Sequence, residues 1–94
     1  MMFNITNGVG FQITFDNGYT VSIQFGPDHY CDNYSNIKYR TPTQKTPSCK
    51  DAELAIIDPD GDLVTQSILG SEDNVITNCT PKQALKYMNI VAEI

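Results

Sequence analysis

The sequence predicts an α+β domain: an antiparallel sheet of about five strands, with one C-terminal helix packed on one face. Three observations carry that reading. Apolar and polar residues alternate on both sides of Asp16-Asn17-Gly18, the pattern of two half-buried strands joined by a tight turn. A second apolar stretch, Ala52 to Ile57, runs into the turn residues Asp58-Pro59-Asp60-Gly61-Asp62 and returns through Leu63 to Ile68. Thr80-Pro81-Lys82-Gln83 then opens a segment with helical spacing.

The first hairpin fixes its own register. A two-residue loop at Asn17-Gly18 would set Phe15 against Thr20 and Ile13 against Ser22. A three-residue loop, Asp16-Asn17-Gly18, instead gives Phe15–Tyr19, Ile13–Val21, Phe11–Ile23 and Val9–Phe25. Every one of those pairs is apolar, so burial selects the longer loop, with Gly18 in the left-handed region. The same logic over Thr6-Asn7-Gly8 sets Ile5 against Val9 and Phe3 against Phe11, extending residues 3–25 into a three-stranded meander. Gln12, Thr14, Thr20, Ser22 and Gln24 then line the opposite, polar face.

Past Gly26-Pro27 the alternation stops. Residues 26–50 form a long irregular loop within a single domain spanning 1–94, with residues 26–39 pinned by Tyr30 and Ile37 and Thr41 to Ser48 as its mobile tip. After it, the preferred register of the second hairpin sets Ile56 against Val64 and Ile57 against Leu63. Gly70 to Asn74 makes a further turn, and Val75-Ile76 a short extra strand. In the helix, Lys82, Lys86, Asn89 and Glu93 mark a polar stripe. Leu85, Met88, Val91 and Ala92 take the sheet side, with Tyr87 and Ile90 at the margins. Burying Leu85 and Met88 would contribute roughly 1.5–3 kcal/mol each.

Charge is unevenly spread. The chain carries a net charge of −5, which argues against binding bulk nucleic acid through its whole surface. Residues 26–50, however, hold Lys38, Arg40, Lys45 and Lys50 against Asp28 and Asp32. The acids Asp51, Glu53, Asp58, Asp60, Asp62, Glu72 and Asp73 follow with no basic residue among them. No run approaches the roughly 20 apolar residues of a membrane span. The first residues also lack the basic and apolar regions of an export signal, so the cytosol is the expected location.

Catalytic and metal chemistry find little support. Asp58-x-Asp60-x-Asp62 starts like a calcium loop, but Leu63 stands where glycine is required and Leu69 where glutamate is required. His29, Cys31, Cys49 and Cys79 lack the paired spacing of a zinc site, and three widely spaced cysteines read as free thiols. A Cys31 nucleophile with His29 as base has no orienting acid. With one histidine, no phosphate loop and no paired-carboxylate motif, neither an enzyme nor a bound cofactor is expected.

Two surfaces remain as candidates. Tyr30, Tyr34, Lys38, Tyr39 and Arg40 combine aromatic faces with charge suited to phosphate or carboxylate, fitting a nucleotide-like anion or a protein surface. Asp51, Glu53, Asp58, Asp60 and Asp62 would suit a basic groove on a partner if they gather on one side. An exposed edge strand, or the polar sheet face, would support a homodimer.

The run Gly10-Phe11-Gln12-Ile13-Thr14-Phe15-Asp16-Asn17-Gly18-Tyr19-Thr20-Val21-Ser22-Ile23-Gln24-Phe25-Gly26, with Tyr30-Cys31-Asp32-Asn33 and Ala52-Glu53-Leu54-Ala55-Ile56, resembles a group of small uncharacterised bacteriophage proteins. The resemblance covers most of residues 8–57 and carries no activity onto individual residues. What it implies is a context: a phage accessory protein in the host cytoplasm that disarms a defence system by binding a host protein. The alternatives are a sponge for a nucleotide-derived signal, held by the tyrosine and basic loop, and a minor structural component of the phage.

Overall fold

A computed structural model of the chain describes residues 1–6, 9–25 and 49–94. Five antiparallel strands form one open sheet in sequence order: β1 (Met2–Ile5), β2 (Gly10–Thr14), β3 (Thr20–Gln24), β4 (Ala52–Ile57) and β5 (Ile76–Cys79). A short helix, α1 (Thr65–Leu69), lies between β4 and β5, and α2 (Pro81–Ala92) follows β5. This is the α+β architecture the alternating pattern and the C-terminal helix signal imply.

The first hairpin has the register that burial selects. Phe11 pairs with Ile23 and Ile13 with Val21. The Phe15 amide donates to the Tyr19 carbonyl at 2.8 Å, and the Phe25 amide donates to the Val9 carbonyl at 2.6 Å. Gly18 closes the turn at φ 87°, where a side chain would be strained.

The β1–β2 register differs from the sequence expectation. Ile5 pairs with Phe11 and Phe3 with Ile13, so the strand is displaced by two residues from the Ile5–Val9 and Phe3–Phe11 pairing. A longer connection causes the shift: the Thr6 amide donates to the Gly10 carbonyl at 3.1 Å, and the Val9 amide to the Thr6 carbonyl at 3.0 Å. A two-residue slip keeps each side chain on its own face, so alternation cannot detect it. Phe3 and Phe11 still touch edge to face, with ring centroids 6.0 Å apart.

The segment after β4 departs further. At the turn, the expected register holds: Ile57 bridges Leu63, and the Val64 amide donates to the Ile56 carbonyl at 2.9 Å. Leu63 to Ile68 does not continue as a strand, because the chain turns into α1 at Thr65. The fully buried Thr65 hydroxyl accepts from the Ile56 amide at 2.8 Å and donates to the Asn74 carbonyl at 2.7 Å. One side chain therefore takes the place of a ladder bond and also pins the returning chain. The edge of β4 is left to β5, with Ala52 opposite Cys79 and Leu54 opposite Ile76.

Thr80 and Gln83 form the expected capping box on α2. The Gln83 amide donates to Thr80 Oγ1 at 3.3 Å, and the Thr80 amide donates to Gln83 Oε1 at 2.9 Å. The helix crosses β3 and β4. Its contact face is Ala84, Tyr87, Met88 and Val91, packed on Val21, Ile23, Leu54 and Ile56. Leu85 is 58% exposed and Ala92 is exposed, contrary to their placement on the sheet side. Helical spacing fixed the stripe to within one position; the docking angle chose its centre.

At its far end α2 is held by the hairpin turn. Asn17 Nδ2 donates to the carbonyls of Val91 at 2.9 Å and Ile94 at 3.2 Å, while Asn17 Oδ1 accepts from the Tyr19 amide at 3.0 Å. Among the described residues, no helix is long and apolar enough to cross a membrane.

Candidate functional site

The sequence candidates Tyr30, Tyr34, Lys38, Tyr39 and Arg40 lie outside the described residues. So do His29 and Cys31. The acidic candidates can be placed, and they divide into two groups.

Thr20 pairs with Ile57, so the β2–β3 turn and the turn at 58–62 sit at the same end of the sheet, where Gly18 approaches Pro59. The Thr65–Asn74 hydrogen bond brings the loop carrying Glu72 and Asp73 to that end as well. Asp58, Asp60 and Asp62 thus gather with Asp16, Glu72, Asp73 and the C-terminal turn of α2. Among the described residues, the ion pair at this end joins the Met1 ammonium to Asp16 Oδ1 at 2.7 Å. That ammonium holds the Asp16 carboxyl below its ordinary value, chiefly through the hydrogen bond.

The acids at this end are not equivalent. Asp58 Oδ1 accepts from the amides of Asp60 and Asp62, each at 2.9 Å, so its carboxylate organises the turn. Asp60 and Asp62 point into solvent. Asp51 and Glu53 lie elsewhere on β4 and its approach. Asp51 accepts from Asn78 Nδ2 at 3.2 Å beside Cys79. Burial first, and the Asp51 charge second, push the Cys79 thiol up to about 11. Cys79 is a free thiol, and with Cys49 it lines a small cavity of about 170 Å³ beside the start of α2.

The polar sheet face is built rather than merely wet. Ser22 and Gln24 are buried there. Thr6 Oγ1 donates to Gln24 Oε1 at 2.8 Å, and Gln24 Nε2 donates to Ser22 Oγ at 3.1 Å. These side chains form the floor of an open cavity of about 410 Å³, with Glu53 and Gln12 at its polar margin and Ile57, Leu63 and Val75 at its apolar one. Alternation placed the polar residues on this face; Leu63 and Val75, which come before and after α1 in the chain, join the lining from outside the strands.

A further surface went unnoticed in the sequence. Among the described residues, α2 packs on β3 and β4, and the apolar side chains at the β1 edge stay exposed. Phe3 is 70% exposed and Ile5 84% exposed, beside half-buried Phe11 and Ile13. Adjoining apolar side chains in water at a sheet edge are the ordinary mark of an interaction surface. The signal that would have found it is arithmetic: a 12-residue helix is too narrow to cover a five-stranded sheet.

Comparison with models of known families, with curated proteins and with solved structures finds no match to this chain.

Proposed function

We propose that this is a non-enzymatic accessory protein of a bacteriophage, acting in the host cytoplasm by binding a host protein and so inhibiting a defence system. The observation that carries the binding role is the uncovered apolar face, with Phe3 and Ile5 exposed beside Phe11 and Ile13. A surface of this kind supplies the desolvated centre a protein interface needs. The acidic end, with Asp60 and Asp62 in solvent, supplies long-range attraction toward a basic partner, which raises association rate more than affinity.

The test is capture from bacterial lysate with the intact chain and two double variants, Phe3→Lys/Ile5→Lys and Asp60→Asn/Asp62→Asn. The apolar variant is expected to lose a stoichiometric host protein. The acid variant retains it, with slower, less salt-dependent association. Recovery undiminished by the apolar variant overturns this assignment of the contact, and recovery of no host protein by the intact chain overturns the function.

A second reading draws on the polar-face cavity: sequestration of a small nucleotide-derived signal, with the basic loop as a further contact. The cavity has the size and mixed lining of a small-molecule site. Calorimetry against a nucleotide panel decides it, since absence of heat with every nucleotide removes this reading.

A further inference from the structure

We infer that β1 pairs with β1 of a second copy, in antiparallel register centred on Asn4, to form a two-fold dimer with one continuous ten-stranded sheet. The inference concerns the pure protein and does not depend on a host partner.

The edge itself is the first argument. Natural sheets blunt an edge strand with charge, proline or a bulge. Met2-Phe3-Asn4-Ile5 has none of these: it carries no charged side chain and pairs regularly with β2 over its whole length.

The backbone gives the register. The Thr6 amide bonds inward to Gly10, so Thr6, Asn4 and Met2 spend their backbone groups on β2 in the alternation of an antiparallel ladder. The amides and carbonyls of Phe3 and Ile5 therefore point out of the sheet. A two-fold axis at Asn4 sets Phe3 opposite the second copy's Ile5, and the outward groups of both residues then close four hydrogen bonds. Phe3 and Ile5 also meet across the strands on the apolar face, where both are largely exposed in the single chain. Shifting the axis onto Phe3 or Ile5 leaves one of these two residues without its match.

Charge placement argues for a copy of this chain as the occupant. Asp58, Asp60, Asp62, Glu72 and Asp73 lie at one end of the sheet. Lys50 precedes β4 at the other end, and Lys82 and Lys86 lie in the first half of α2, which starts there. Antiparallel pairing turns the second copy end for end, so the two acidic ends sit at opposite extremes of the dimer. A parallel arrangement would set them side by side. The dimer also joins the two uncovered apolar faces into one floor between two α2 helices.

A four-residue edge buries less than the roughly 1,200 Å² of a standard interface, so the association is weak and concentration-dependent. Sedimentation of the intact chain from about 10 to about 500 µM is expected to show the mass rising from 10.5 kDa toward twice that value. Ile5→Pro removes an outward amide that β2 does not use, so it should remain folded and shift the association at least about tenfold to higher concentration. Asn4→Cys reports the register independently. In a non-hydrogen-bonded pair the two Cα atoms lie about 4.5 Å apart, within disulfide reach, so mild oxidation should link two chains while the unsubstituted protein stays unlinked. A monomer at every concentration overturns the proposal, as does association unaffected by Ile5→Pro. Asn4→Cys that links no faster than the unsubstituted chain overturns the register, and with it the pairing.

Discussion

Replacing Thr65 by valine tests the device that turns the chain away from a second hairpin. Valine is nearly the same shape, so packing is preserved while the hydroxyl disappears. Two hydrogen bonds go with it, from the Ile56 amide at 2.8 Å and to the Asn74 carbonyl at 2.7 Å. Each is worth about 0.5–1.5 kcal/mol net, and the Ile56 amide, left buried without a partner, adds about 1–3 kcal/mol of desolvation. The extra buried methyl returns about 0.8 kcal/mol, for a net loss of about 1–5 kcal/mol. In a domain of this size that loss lowers Tm by roughly 4–8 °C for each kcal/mol. Thr65→Ser is the control: it keeps the hydroxyl, gives up one methyl and costs about 1 kcal/mol. Urea unfolding monitored by circular dichroism measures both. If Thr65→Val is no less stable than Thr65→Ser, the hydroxyl is not what holds α1 and β5 in place, and that account of the topology fails.

Four other outcomes are expected. Asn17→Ala removes the two bonds to the end of α2 and the one to Tyr19, so stability should fall by about 1–2 kcal/mol, with hydrogen exchange rising at residues 90–94. On α2, Val91→Ala should cost about 1.5–3 kcal/mol because Val91 is fully buried, whereas exposed Leu85→Ala should stay within about 0.5 kcal/mol, as denaturant midpoints would show. Gly10→Ala sets a Cβ against the Ile23 carbonyl oxygen and the Gln24 backbone, so β2 and β3 must separate; a loss of about 2–4 kcal/mol is expected in the same assay. Cys79 holds its proton more tightly folded than unfolded, so its contribution is intact below the thiol's ordinary value of 9.0 and lost as pH rises toward about 11. That window carries roughly 2–3 kcal/mol, and Cys79→Ala should flatten the alkaline part of the stability profile by that amount.

The acidic candidates show how little a sequence says about spacing in three dimensions. Seven acids within 23 residues were legible as a charge run. Whether they formed one surface depended on two chain reversals, at 58–62 and at 70–74. The structure gathers five of them, gives Asp58 a turn to hold, and sends Asp51 and Glu53 elsewhere. The apolar surface was hidden for the opposite reason. Phe3 and Ile5 read as core residues because alternation reports which face a side chain takes, not whether anything covers that face.

Local chemistry settled the parts of this protein whose partners are close in sequence. The Asp16-Asn17-Gly18 turn, the register it imposes on β2 and β3, and the Thr80–Gln83 cap all follow from side-chain periodicity and turn stereochemistry acting over a few residues. Tertiary structure decided the rest. It set the two-residue displacement of β1, the Thr65 hydroxyl in place of a strand, the face α2 presents, and the uncovered strip beside it. These outcomes turn on which groups distant in the chain compete for the same hydrogen bond or the same apolar surface, and no local pattern records the result of that competition.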